Sequence, residues 1–214
     1  MDAFTKLVIG AMVGWLLAQL ADLWKRRREQ KADAAYLGAT VLIQLDRFIY
    51  GCASVSGDDG TSHGRPAGLT EQGQEYYAPQ TDVPELSWDG TKVEWKSIAP
   101  DLMYAVLSVP LELAEAKEFL QGVADYDDPP HDEYIAARQL RFTELGVLVV
   151  KIAERLRIET GIPSRLAREW NPDSYLEDRL KVLRVRDEQI AAARLEAWPK
   201  VPATEAAAPP PSSP

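Results

Sequence analysis

The sequence predicts a mainly α-helical protein: an N-terminal transmembrane helix, then an antiparallel helical bundle of coiled-coil-like character with a small β-hairpin insertion. Three observations predict this fold class. An uncharged apolar run lies near the N-terminus, and apolar residues recur at spacings of three and four through most of the remainder. An Asp-Gly pair also separates two short segments of alternating polarity. The 214 residues suffice for one ordinary core plus an appendage.

Composition excludes several classes of function. Hydrophobic residues make up 46% and charged residues 27%, which is typical of a globular protein. The formal net charge of -9 argues against a nucleic acid partner. Cys52 is the only cysteine, so an intramolecular disulfide or a zinc site with two thiolates is excluded. Its apolar helical neighbours predict a buried, inert thiol.

Residues 1–24 are predicted to form the transmembrane anchor. Residues 7–21 carry no charge and one amide, Gln19. A helix of about 17 residues would span roughly 25 Å, slightly less than the ~30 Å hydrocarbon core. Lys6 can snorkel at one end, and Trp24 is placed for the interface at the other. The run is hydrophobic all round, which argues against an amphipathic helix on the membrane surface.

Two alternatives to a retained anchor are a cleaved signal peptide and a buried core helix. A signal peptide needs a basic start and a small-x-small cleavage site. Here Asp2 precedes a single lysine, and residues 18–22 form a poor cleavage site. The basic residues that follow at once would resist translocation. We therefore expect the segment to be retained in the membrane.

A basic cluster directly after the span predicts the topology. It consists of Lys25, Arg26, Arg27 and Arg28, with Lys31 close behind. Cytoplasmic flanks of membrane helices carry the excess of Lys and Arg, so the downstream chain is predicted to face the cytosol. The sequence thus predicts a single-pass protein of the plasma (inner) membrane with a cytoplasmic C-terminal domain.

Small residues form a stripe along the predicted span. Gly10, Gly14 and Ala18 recur every four residues, in a G-x-x-x-G-like pattern. Such a stripe lets two membrane helices approach closely, although glycine and alanine are also common in membrane helices that do not associate. We expect a homo-oligomer or an association with a membrane protein partner through this stripe.

Residues 25–55 are predicted to be a juxtamembrane helix that continues from the anchor. Its apolar stripe comprises Gly38, Val41, Leu42, Leu45, Phe48, Ile49 and Cys52. Residues 56–60 should end it, and the Gly- and Pro-rich residues 56–84 are predicted to be a loop of unassigned role. Within residues 56–99, a β-hairpin is predicted around Asp89-Gly90. Its inward face would comprise Leu86, Trp88, Val93 and Trp95.

Three further helices are predicted in residues 100–198. The first starts near Asp101, and Pro110 should kink it or split it. The second runs from about residue 131 to 160 and ends at Gly161. The third begins with Asn171 as its cap and runs until Pro199. Narrow apolar stripes on these helices favour an antiparallel bundle. Residues 199–214 are predicted to be a disordered Pro/Ala/Ser tail.

Two acidic segments could in principle carry chemistry. Residues 125–133 combine carboxylates with His131 and could hold a divalent cation, but they lack the spacing of a calcium loop. An interhelix loop with acidic residues at the start of the next helix explains them more simply. Glu85, Glu94 and Lys96 flank the hairpin as in some metal-dependent nucleases, but the sequence offers no further strands.

The sequence therefore predicts a non-enzymatic protein with no catalytic residues, cofactor or metal site. Neither histidine has a nucleophile at a suitable spacing, and no glycine-rich phosphate loop occurs. The expected function is a membrane-tethered helical scaffold or adaptor that self-associates or holds a protein partner at the cytoplasmic face. One alternative is an envelope-spanning or lysis-type component with an exported bundle. The other is a cation-dependent hydrolase that uses the acidic loop.

Overall fold

The computed structural model describes residues 3–165 and 170–197, excluding the side chains of residues 3–11, 13, 195 and 197. This part of the chain forms four α-helices and one small antiparallel sheet, so the predicted mainly α fold is confirmed. In chain order the elements are α1 (Ala3–Gly57), β1 (Gly68–Leu69), β2 (Glu75–Tyr76), a 3-10 helix (Trp95–Ser97), α2 (Pro100–Ala124), α3 (Asp132–Thr160) and α4 (Pro172–Ala197). The predicted tail, 199–214, lies outside the described residues.

Helix α3 occupies the centre of the bundle and contacts each of the other three helices. Polar pairs fix the directions: Ser56 of α1 lies 2.5 Å from Thr143, whereas Asp46, ten residues earlier, pairs with Arg157. Residue numbers thus rise along α1 as they fall along α3. Pairs between α3 and its other neighbours follow the same order, so α3 is antiparallel to all three. These pairs are Asp101–Arg155 and Phe119–Arg141 for α2, and Arg184–Glu144 and Arg194–Glu133 for α4.

The helical stripes read from the sequence form the core. All seven stripe residues of α1 are buried, with Leu45 and Cys52 fully inaccessible. Burial raises the pKa of the Cys52 thiol well above its ordinary value, which keeps the thiol protonated and unreactive. The apolar stripe of α4 consists of Leu176, Leu180, Leu183 and Ile190. Only its first half is covered by the bundle, because Leu176 and Leu183 are buried whereas Ile190 is exposed.

Helix ends follow the predicted capping residues. The Asn171 side-chain oxygen accepts a hydrogen bond from the Asp173 N–H at 3.0 Å, at the start of α4. Gly161 follows α3 with a φ of +70°, and the next N–H bonds back to the Arg157 carbonyl. Gly146 lies where three helices meet, since an added Cβ would lie 2.9 Å from Leu176 and 3.0 Å from Cys52.

The predicted hairpin in residues 86–95 is wrong, because its two strands do not pair. The predicted turn is present, and the residues of the predicted inward face do pack on the core. The Thr91 N–H donates to the Trp88 carbonyl at 3.0 Å, but the residues on either side, all of them described, form no strands. Instead Trp88 and Trp95 stack edge to face, 5.8 Å between ring centroids, and pack on the core. Side-chain packing on the helices thus replaces the strand ladder.

The two short strands lie in the region predicted to be a loop. Gly68 is opposite Tyr76, and Leu69 is opposite Glu75. Each strand has only two residues, too few to show the alternation of polar and apolar residues from which a strand is predicted.

Two N-terminal features bear on the predicted anchor. Helix α1 runs as one element from Ala3 to Gly57, through the basic cluster. Within the described residues, no helix has both the length and the apolar character that a bilayer crossing requires. The predicted transmembrane helix is therefore not supported by the structure.

Candidate functional site

The first half of α1 projects from the bundle. Every residue from Gly14 to Asp33 is exposed, and burial in the bundle begins at Ala34. At 1.5 Å per residue this projecting segment, residues 14–33, is about 30 Å long. The packing that stabilises α3 within the bundle is absent from residues 14–33, so these side chains are exposed.

Large apolar side chains occupy the first part of the projecting segment. Trp15, Leu17, Leu20 and Trp24 are 63%, 61%, 59% and 76% exposed. These residues lie on different sides of the helix, so no single face accounts for them. Large exposed apolar surfaces are typical of sites that contact a membrane or another protein.

The predicted association stripe lies partly on this segment. Gly14 and Ala18 are exposed, and a Cβ added to Gly14 would meet no atom within 4 Å. The surroundings of Gly10 lie outside the described side chains. The two described positions are therefore accessible to a second helix.

A ring of cations follows the apolar part. Lys25, Arg26, Arg27 and Arg28 occupy four successive positions, each turned 100° from the last, so their charges surround the helix axis. In the part of the chain that the structure describes, none of these four side chains forms an ion pair with a carboxylate. Several arginines of the bundle differ, because each of them pairs with a carboxylate: Arg138, Arg155, Arg157, Arg184 and Arg194. The basic ring is thus available to an external anion.

The acidic loop 125–133 serves as a helix cap. Asp127 Oδ2 accepts the Tyr134 N–H at 2.8 Å, in the first turn of α3, and the Asp127 side chain is only 6% exposed. His131 Nδ1 lies 2.8 Å from the Asp127 carbonyl oxygen, and Asp125 accepts from Gln121. The carboxylates point to separate partners, and residues 3–165 and 170–197, as far as described, contain no His/Cys/Asp/Glu group suited to a metal ion.

The acidic pair of the hydrolase hypothesis does not assemble. Glu85 pairs with Lys117 of α2 at 2.6 Å, in an exposed salt bridge. Because the hairpin is not formed, Glu94 is not aligned opposite Glu85 across a ladder, and Lys96 lies in the 3-10 helix.

Asp58 and Arg138 form a buried ion pair that was not predicted from the sequence. The two side chains are each 2% exposed, and Arg138 Nη1 lies 2.9 Å from Asp58 Oδ2. The same oxygen accepts the Thr81 hydroxyl at 2.7 Å and the N–H groups of Gln80 and Thr81, whereas Oδ1 accepts the Gly60 N–H. These bonds fasten both ends of residues 58–81 to α3.

This carboxylate is stabilised in its charged form. Burial alone raises the pKa of Asp58, but hydrogen bonds from Thr81, Gly60 and Gln80 outweigh it and lower the pKa to about 2. Both oxygens are occupied by donors from the protein itself, so the group has a structural role. One sequence signal could have indicated it: Arg138 lies on the apolar stripe of α3, three residues after Ile135.

Comparison of the chain with models of protein families, with curated proteins and with solved structures found no match in any of the three. These comparisons therefore assign no function to the chain.

Proposed function

We propose that this protein is a non-enzymatic helical scaffold or adaptor, anchored in the plasma membrane by its first 24 residues, with the bundle at the cytoplasmic face. One observation supports this most directly. The projecting segment carries apolar side chains on all sides up to Trp24 and then the basic ring from Lys25. In membrane proteins, an apolar membrane-spanning helix is typically followed by basic residues on its cytoplasmic side.

Hydrophobic transfer favours this placement. Burying one Leu side chain contributes roughly 1.5–3 kcal/mol, so four leucines and two tryptophans contribute on the order of 10 kcal/mol. These six exposed residues are Trp15, Leu16, Leu17, Leu20, Leu23 and Trp24. Gln19 and Asp22 oppose insertion, and Asp22 is placed near the cytoplasmic edge, where its charge costs least.

The basic ring supports the orientation. Cytoplasmic leaflets carry anionic lipid, and each Lys or Arg near their surface contributes about 1 kcal/mol of attraction. The same charges resist translocation, which disfavours the exported arrangement. Anchoring also confines the protein to two dimensions, so weak contacts through Gly14 and Ala18 could assemble copies or hold a partner.

Membrane fractionation of the full-length chain tests the anchor. The wild type is expected in the membrane pellet after alkaline carbonate washing and in solution only with detergent. Leu16→Arg with Leu17→Arg should move the protein to the supernatant, because each centrally placed arginine costs ~3 kcal/mol of insertion. Ile158→Arg is the matched control, since Ile158 is 82% exposed on α3 of the bundle. Recovery of the wild type without detergent would overturn the proposal.

Reporter fusions at the C-terminus test the orientation separately. A reporter that works only in the cytosol should be active, and one that works only after export should be inactive. The reverse result would favour an exported bundle.

A further inference from the structure

Helix α2 has a second apolar face that the bundle does not cover. Its buried face contains Leu102, Val106 and Val109, with Leu113 and Leu120 further along. On the opposite side, the exposed residues Tyr104, Leu107, Leu111 and Phe119 lie at helical spacing, and the exposed Tyr126 follows in the turn after the helix. Phe119 is 43% exposed and Tyr126 is 91% exposed. An amphipathic helix in a four-helix bundle needs only one such face.

A groove runs along this helix beside α3. One depression of about 350 Å³ is lined by Glu112, Glu115, Phe119, Arg141, Glu144 and Leu148. A second, of about 640 Å³, continues it past Phe119 to Gly122 and Tyr126. The two share Glu115 and Phe119, so we treat them as one surface, the α2 groove. The Arg141 guanidinium lies 4.1 Å from the Phe119 ring centroid and holds the ring in the groove.

The unpaired charges of the α2 groove are negative. Glu112, Glu115 and Glu118 follow one another at intervals of three, and none has an ion-pair partner among the residues that the structure describes. The cation of the groove, Arg141, is paired with Glu144 at 3.5 Å. Like charges at this spacing repel on a helix, and a partner with positive charges would relieve that repulsion.

We propose that the α2 groove binds a basic amphipathic helix of a protein partner. Apolar residues of that helix would pack on Phe119 and Leu148, and its Lys or Arg residues would pair with the glutamates, as in other helix-in-groove complexes. A second copy of this chain fits poorly, because a symmetric contact would set the glutamate row against itself. Anionic lipid is repelled for the same reason.

The position of the groove agrees with an adaptor role, and the proposal rests on that role. Phe119 contacts Arg141, which is close in sequence to Arg138 and so to the Asp58 end of α1. The projecting segment lies at the other end of α1. In an anchored protein the groove would therefore lie towards the end of the bundle that is farther from the membrane, where a cytosolic partner can reach it.

Peptide binding to the full-length chain in neutral detergent micelles tests the proposal. The probe is a fluorescent amphipathic helical peptide of Leu and Lys; its counterpart has Glu in place of Lys, and protein-free micelles supply the background. By anisotropy, the Leu/Lys peptide should bind the protein, more weakly as salt rises, and the Leu/Glu peptide should not. Equal binding of the two peptides, or no binding of either, would overturn the proposal.

Variants locate the binding. Glu115→Lys with Glu118→Lys changes two exposed positions and should weaken the Leu/Lys peptide about tenfold, as should Phe119→Ala. Glu188→Lys, exposed on α4, is the matched control and should leave binding unchanged. Unaltered affinity in the double variant would place the peptide elsewhere and refute the groove. The anchor assay is independent, because groove variants should stay in the membrane pellet and micelle binding does not require a bilayer.

Discussion

The indole N–H of Trp88 donates a hydrogen bond to the carbonyl oxygen of Val106, at 3.1 Å. That carbonyl would normally accept the N–H four residues later, but the residue there is Pro110, which has none. A side chain from the preceding loop thus supplies the donor that the proline lacks. The predicted split of this helix does not occur, and α2 is continuous from Pro100 to Ala124.

Trp88→Phe should lower the free energy of unfolding by about 1–3 kcal/mol, because the Val106 carbonyl loses its donor while most of the ring is kept. The loss should shrink when Pro110→Ala is present, since the alanine supplies a backbone N–H within the helix. Chemical denaturation followed by circular dichroism measures both. An equal cost in the two backgrounds would show that the indole bond does not compensate for the proline.

Arg138→Ala should destabilise the bundle by roughly 3–5 kcal/mol, because it leaves Asp58 buried without its cation. Arg155→Ala is the matched control: Arg155 also lies on α3 and pairs with an aspartate, Asp101 of α2, but both groups are largely exposed. Solvent screens that pair, so little change is expected. Similar losses in the two variants would contradict a special role for the buried pair.

Acid should weaken the fold through Asp58. The pKa of Asp58 falls from 3.8 to about 2 on folding, so its contribution is complete above about pH 4 and is lost as the pH falls towards 2. Urea midpoints measured across this window should decrease for the wild type. In Asp58→Asn, which is less stable throughout, the decrease should be smaller. An identical slope in the variant would exclude Asp58 as its source.

Gly146→Val should destabilise the bundle by about 1–3 kcal/mol or more, because the new side chain would enter space already filled by Leu176 and Cys52. Gly122→Ala on α2 is the control, since no atom lies within 4 Å of the added Cβ. That change should stabilise the protein by roughly 0.5–1 kcal/mol, as alanine is the better helix former. The melting temperatures of the two variants distinguish the effect of side-chain packing at Gly146 from the effect of helix propensity at Gly122.

Gly14→Leu should lower self-association in a membrane-based reporter of helix pairing, because a bulky residue keeps two helices apart. Met12→Leu, also exposed on α1, is the matched control and should leave the signal unchanged. If the glycine variant associates as well as the wild type, the small-residue stripe is not the contact.

The sequence determined the helices and the sides they bury. Burial follows a period of 3.6, so the buried positions of Leu45 and Phe48 on α1 were predictable from local spacing. The capping roles of Asn171 and Gly161 were equally local, because each depends on atoms within a few residues. These features concern one helix at a time.

Tertiary structure alone decided which remote groups meet. Asp58 and Arg138 are 80 positions apart, and nothing in the spacing of either specifies the other. Trp88 was predicted to lie in a β-strand. Instead its ring packs on the helices, and its indole N–H donates a hydrogen bond to a carbonyl of α2. The exposed glutamate row of α2 is likewise visible only once its neighbours are in place. Local periodicity fixes how each helix is formed, whereas long-range contacts depend on how all the helices pack together.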